Sequence, residues 1–135
     1  MTPSAQVNLT SRKRLWAGRI LSGGAVLFLL FDSVIKLMMI APVVESFARL
    51  GYPVGISRTI GLLELVCIVV YLIPHTAVLG AVLLTGYLGG AVATHMRVGD
   101  PLFSHVLFPV YVGVLIWGGL YLRDDRLRNF IAPRG

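Results

Sequence analysis

The sequence predicts an all-α fold, a four-transmembrane-helix bundle with a short interfacial helix between helices 1 and 2. Three observations predict it. The 135 residues are 56% hydrophobic and only 13% charged, with a mean hydropathy of +0.82, whereas a soluble domain carries about a quarter charged residues. Four apolar stretches, each long enough to cross a bilayer, divide the chain, and the Lys and Arg residues gather at its two ends. So few charges cannot cover a water-facing surface. The net charge of +6, placed in this way, points to a membrane surface and its lipid rather than to nucleic acid.

The first apolar stretch runs from Trp16 to Ala41, the second from Ser57 to Ile73, the third from Ala77 to His95 and the fourth from His105 to Leu122. A helix rises about 1.5 Å per residue, so a hydrocarbon core of about 30 Å takes roughly 20 residues, with 17 tolerated. All four qualify, the second narrowly. Pro74 stops the second and Pro101 precedes the fourth, while Pro109 falls inside the fourth and is expected to kink it. Arg12-Lys13-Arg14 before an apolar core would also suit a cleaved signal peptide. The apolar run continues past Asp32 to Met39 and Ile40, however, with no small-residue cleavage site behind it, so the helix is read as uncleaved. Residues 1–15 form a cytoplasmic N-terminal tail, with the polar stretch Met1 to Ser11 expected to be disordered. Residues 16–122 form the membrane domain and residues 123–135 a basic cytoplasmic C-terminal tail.

Between the first two spans, Val43, Val44, Phe47 and Leu50 make a helical stripe, with Glu45, Ser46 and Arg49 elsewhere. This suits a short interfacial helix on the outer leaflet, or an ordered loop, ended by Gly51-Tyr52-Pro53. Orientation follows from the flanks. Arg12, Lys13, Arg14, Arg19, Arg123, Arg126, Arg128 and Arg134 stand on one side, and Arg49, Arg58 and Arg97 on the other. Eight against three predicts both termini inside a bacterial cytoplasmic (inner) membrane. Gly86 and Gly90, continued by Thr94 at the same spacing, form a small-residue face. It is expected to pack against a neighbour, within the bundle or across a homo-oligomer seam.

Several residues do not belong in lipid. Asp32 and Lys36 lie on helix 1 and Glu64 on helix 2; His95 and Arg97 end helix 3 and His105 begins helix 4. A charge at a helix centre costs about 2.5–3.5 kcal/mol on insertion scales. By the predicted topology every one of these groups falls in the outer half of the bundle. Asp32 and Lys36, four apart with the acid first, share a face. Tyr87, Ala91 and His95 share another, as do Gly61, Glu64, Ile68 and Tyr71. The expectation is an outward-opening polar pocket with Asp32, Lys36 and Glu64 at its floor and His95, Arg97 and His105 at its rim. The alternative is that Lys36 bridges Asp32 and Glu64 only to hold the helices together.

Some chemistries are demoted at once. Cys67 is the single cysteine, which excludes an internal disulfide and a thiol relay by this chain alone. No set of His, Cys or acidic residues has the spacing of a metal site. Haem would need facing histidines, but His95 and His105 flank one short loop and His75 lies on the other side.

Three segments carry a family resemblance: "GYP…RTIGLLELVCIVVYLIP", "AVLGAVLLTGYLGGAVATHMRVGDP" and "PVYVGVLIWGGLYLRDDRLR". The Gly61-x-x-Glu64-Leu65 opening of helix 2 and the run from Thr85-Gly86-Tyr87 to His95 are its most specific parts. The stretch from Gly51 to Arg128 resembles the DoxX-like family of small bacterial membrane proteins. The resemblance implies a four-helix membrane bundle in which Glu64, Tyr87, His95 and Arg97 are family-typical polar positions. The family takes its name from a subunit of a membrane thiosulfate:quinone oxidoreductase. It thus implies a quinone-linked or redox-partner subunit, not catalytic alone, with quinone the one cofactor suggested and a redox protein the partner. The other reading is a non-catalytic bundle that binds lipid or organises partner proteins; a lipid-isomerase-like use of the carboxylates is a third. Family does not by itself fix function.

Overall fold

The computed structural model describes residues 3–53 and 55–131, with side chains from residue 11 onward. Every regular element among the described residues is helical: α1 (Pro3–Met38), α2 (Ala41–Arg49), α3 (Ile56–Leu72), α4 (Ala77–Arg97), α5 (Phe108–Arg123) and α6 (Asp125–Ile131). A 3-10 turn, Pro74–Thr76, joins α3 to α4, and one π-helical turn, Leu102–Val106, precedes α5. Three helical segments are long and apolar enough to cross a membrane: Ser11–Met38, Pro74–Arg97 and Leu102–Arg123, of mean hydropathy 1.9, 1.7 and 1.7. The 17 residues of α3 span about 25 Å at the usual rise.

Several boundaries differ from expectation, each for a local reason. The polar stretch expected to be a disordered tail is helical from Pro3, as the start of α1. Arg12, Lys13, Arg14 and Leu15 are strong helix formers, and extending an existing helix carries no nucleation cost. Met1, Thr2 and residues 132–135, the outermost parts of the two expected tails, lie outside the described residues. Helix α1 stops before Ala41 because Met39 takes a left-handed conformation, φ 53°. Pro109 falls inside the Leu102–Arg123 segment but not in mid-helix. It sits in the first turn of α5, where its missing N–H has no helical partner to lose, and His105 lies on the π turn ahead of that helix. The short helix α2 is present, with Pro42 in its first turn. Its stripe, however, is turned onto the protein rather than onto lipid: Val43, Phe47 and Leu50 are all buried. Gly51, at φ 82°, then reverses the chain where a side chain would be strained.

Helices α1 and α4 each pack against both α3 and α5, so they lie diagonally across from one another. The core between them is thin, built on Leu29, Ile68, Tyr71, Leu84, Ile116 and Leu120. The outer faces are apolar instead, with Leu27 70%, Phe31 65% and Val114 65% exposed. This inversion of the soluble pattern leaves lipid as the solvent of the outer surface. Close approach is concentrated at four glycines. A methyl group at Gly119 would meet Ser22 Oγ at 2.3 Å, one at Gly18 the Gly119 carbonyl at 2.7 Å, one at Gly61 the Ser33 carbonyl at 3.0 Å, and one at Gly80 the Tyr71 backbone at 2.3 Å. Ser33 and Tyr71 mark two of these crossings with buried hydrogen bonds. Ser33 donates to the Gly61 carbonyl at 2.7 Å, and the Tyr71 hydroxyl donates to the Ile116 carbonyl at 2.9 Å with Ser22 Oγ at 2.8 Å.

Within the bundle, the Gly86–Gly90 face does not pack against a neighbouring helix. A methyl group at Gly86, Gly89 or Gly90 would meet nothing within 4 Å. On the half of α4 that carries them, small side chains leave space rather than close it. Thermal or detergent-titration unfolding separates the two kinds of glycine. Gly80→Ala is expected to lose about 1–3 kcal/mol through overpacking, and Gly90→Ala to stay within about 0.5 kcal/mol of the wild type. Equal losses at the two sites would contradict this division of the helix.

Candidate functional site

Helix α1 sets Asp32 and Lys36 one turn apart on the same face, where i and i+4 side chains meet. Helix α3 supplies Glu64 and helix α4 supplies Tyr87. Three helices therefore converge on one ammonium group. Lys36 Nζ donates to the Asp32 carboxylate, to Glu64 Oε2 at 3.2 Å and to Tyr87 Oη at 2.5 Å. Tyr87 Oη in turn donates to Glu64 Oε2 at 3.0 Å. Glu64 is 0% exposed, and its second oxygen, Oε1, has no hydrogen-bond partner. The side chains of Lys36 and Asp32 keep 15% and 29% of their surface, so the cluster is wet on one side and dry on the other.

The wet side is a cavity of about 440 Å³ between α1 and α4, beneath α2. Asp32, Lys36, Tyr87 and His95 line it, together with Gly86, Gly90 and Ala91, whose small size opens the space. Its walls are apolar and partly aromatic. Phe28 and Phe108 meet edge to face at 5.1 Å, and Phe47 of α2 lies 5.7 Å from the Tyr52 ring.

At the same end, α2 and the chain after it are tied to the end of α4. The turn after α4 hydrogen-bonds the Asp100 amide to the His95 carbonyl at 3.1 Å, which brings the Asp100 side chain back over His95. His95 Nδ1 lies 2.5 Å from Asp100 Oδ2, and Arg49 of α2 donates to both carboxylate oxygens at 2.6 and 3.3 Å. Hydrogen bonds from the Arg49 guanidinium, and then from His95, hold the Asp100 carboxyl well below its usual range, at about 2. The same contact raises the pKa of Arg49. Arg97 donates to the Leu50 carbonyl, and Tyr52 Oη lies 2.8 Å from Thr94 Oγ1.

Of the seven residues singled out from the sequence, Asp32, Lys36, Glu64 and Tyr87 form one hydrogen-bonded cluster and His95 stands on the cavity wall. Glu64, Arg97 and His105 do not line the cavity: Glu64 is fully buried behind it. Arg97 is spent on the Leu50 carbonyl. His105 is exposed on the π turn, hydrogen-bonded at 2.8 Å to Ser104, with its ring 6.0 Å from that of His95. Two groups that matter here, Asp100 and Arg49, escaped the sequence reading. The signal was present. Asp100 is the only acidic residue between Glu64 and Asp124, and a lone acid at the end of a basic, apolar segment will find a cation.

The profile of the DoxX-like family matches residues 20–119. The chain belongs to the DoxX-like family. No curated protein and no solved structure matches it. In this DoxX-like protein the matched stretch takes in every residue of the cluster, the cavity wall and the Arg49–Asp100–His95 clasp, and leaves out the first half of α1 and all of α6.

Chemically, the DoxX-like site sets two carboxylates against one ammonium and one phenol, beside an apolar cleft. Among the described residues no three His, Cys, Asp or Glu side chains stand close enough together to hold a metal ion. Cys67 is a buried free thiol one helical turn beyond Glu64.

Proposed function

We propose that this DoxX-like protein crosses the bacterial cytoplasmic membrane four times, with both termini inside. In its outward-opening cavity it holds the head group of a quinone, as a membrane subunit that works with a redox protein partner. One observation carries the reading: a cavity of about 440 Å³ with apolar, partly aromatic walls ends in the Asp32–Lys36–Glu64–Tyr87 cluster. That volume is in the range of small-molecule sites, which pair apolar walls with a few convergent polar groups. Intramembrane ionisable groups are functional candidates by default, and Glu64, which is buried but hydrogen-bonded to the lining residues Lys36 and Tyr87, is the group suited to exchange a proton with a bound head group through them. His95, on the wall between the cluster and the outer end, is the second.

Topology is supported from both ends. Arg126 donates to the Pro74 carbonyl at 2.9 Å, and Arg123 Nε donates to Ser22 Oγ at 3.1 Å. The first part of α1, the α3–α4 turn and the C-terminal helix therefore share one end of the molecule. That end carries the larger share of Lys and Arg, which by the positive-inside rule is cytoplasmic. Helix α3, pairing with α1 and α4 over its whole length, is the fourth crossing; its shortness is accommodated by local thinning of the bilayer. In a Cys67→Ser background, Ser104→Cys is expected to react with an impermeant thiol reagent on intact cells and His75→Cys only after the cells are opened. Labelling of His75→Cys on intact cells would overturn the topology.

The competing reading, a non-catalytic bundle that binds lipid or organises partners, rests on Lys36 being saturated by its own neighbours, as a purely structural ion network would be. Purification in mild detergent, with analysis of the extracted lipids and of co-purifying proteins, separates the two. Quinone is expected to be retained, a redox protein to accompany it, and Glu64→Gln or His95→Ala to lose the quinone while remaining folded. Retention of bulk phospholipid alone, with both variants merely less stable, would leave the structural reading standing.

A further inference from the structure

The polar groups around the cavity differ in the hydrogen-bonding capacity they have left. An ammonium has three protons and no lone pair. All three of Lys36 have acceptors in the protein, on Asp32, Glu64 and Tyr87. The single proton of Tyr87 goes to Glu64 Oε2. Higher on the wall, Thr94 gives its proton to the Gly90 carbonyl at 2.8 Å, so Tyr52, 2.8 Å from Thr94 Oγ1, must be the donor of that pair. His95 Nδ1 faces the Asp100 carboxylate at 2.5 Å. A carboxylate only accepts, so Nδ1 carries the proton it shares with Asp100.

What remains unspent is therefore almost all of one kind. Asp32 uses one oxygen on Lys36, and the other makes no hydrogen bond among the described residues. Glu64 Oε1 is unpartnered too, though Glu64 does not itself line the cavity. A lone pair is left on Tyr87 Oη. Among the described side chains lining the cavity, His95 apart, the Ser46 hydroxyl alone keeps a proton free to give. The charges point the same way, since two carboxylates face one ammonium.

We propose that the cavity selects head groups that donate hydrogen bonds. On the quinone reading above, on which this inference rests, it holds the reduced quinol in preference to the oxidised quinone. A quinol hydroxyl meets the free Asp32 oxygen as donor to acceptor. A quinone carbonyl can only accept, and away from Ser46 it would have to draw a proton of Lys36 or Tyr87 from an acceptor already using it. A hydrogen bond to a charged group is worth enough for a preference of about tenfold or more. Sites built to bond a hydroxyl discriminate strongly against analogues that lack it. By linkage, a tenfold preference for the quinol raises the two-electron potential of the bound couple by about 30 mV.

Anaerobic equilibrium dialysis of the detergent-solubilised full chain tests this with three probes: a short-chain benzoquinol, its quinone, and its dimethyl ether. The ether keeps the ring and the oxygens but has no proton to donate. The quinol is expected to bind at least tenfold more tightly than either of the others. Asp32→Asn, which exchanges an acceptor for a donor at the cavity floor, is expected to narrow that gap. Equal or tighter binding of the quinone or of the ether to the wild type overturns the donor selectivity and leaves the quinone reading intact. If none of the three binds, the quinone reading falls and the selectivity with it. The wild-type comparison decides the matter even if the Asp32 variant does not fold.

Discussion

The Lys36 ammonium is the point on which the rest of the structure turns. It comes from α1, and its partners come from α1, α3 and α4, so a single group fixes the relative rotation of three helices. A charge at this depth is tolerable only with partners, and the partners are themselves costly without it: Glu64 is fully buried and its only hydrogen bonds come from Lys36 and Tyr87. The neighbouring backbone is arranged around the same residue. Ser57 at the start of α3 donates to the Lys36 carbonyl at 2.9 Å, and Gly61 lets α3 come within contact of the Lys36 side chain.

From that point the molecule divides into a closed end and an open one. Towards the termini, Gly18, Gly80 and Gly119 bring helices to backbone contact around Tyr71 and Ser22. Towards the other end, a methyl group at Gly86 or Gly90 would meet no neighbour in the chain, and a cavity takes the place of a core. Helix α2 covers that cavity with Phe47 and Leu50, and Arg49, one residue before Leu50, grips Asp100 at the end of α4. The cover thus rests on α4 through polar contacts, while its apolar face closes over the cleft.

Much of this was legible in the sequence, because composition, span length and charge spacing act locally. The all-helical fold follows from hydropathy, and the Asp32–Lys36 pair from a spacing of four. The partnership with Glu64 follows from depth alone, since residues at similar depth on neighbouring helices must find one another in lipid. The family likeness, read over Gly51 to Arg128, is matched as far as residue 119, and its most specific parts, from Gly61 to His95, lie inside the matched stretch. What failed depended on which neighbour a face meets. The Gly86–Gly90 pattern suits a tight helix contact equally well as a cavity wall, and only the position of α1 across the cleft decides between them. The α2 stripe suits lipid or protein alike. Pro109 reads as a kink until the π turn ahead of it moves the start of α5. The partner of Arg97, the Leu50 carbonyl, and the Arg49–Asp100 pair were not legible, because the close approach of these segments belongs to the tertiary fold.

If Lys36 and Glu64 are one interacting unit, their substitutions cannot act independently. A double-mutant cycle on unfolding in detergent, with Lys36→Met, Glu64→Gln and the pair, measures this directly. Lys36→Met alone leaves two carboxylates without a counter-charge and is expected to cost about 3–5 kcal/mol. The double variant is expected to fall short of the summed single losses by at least about 1 kcal/mol. Losses that simply add would mean that Glu64 and Lys36 do not share a contact, and would contradict the arrangement of three helices around one ammonium.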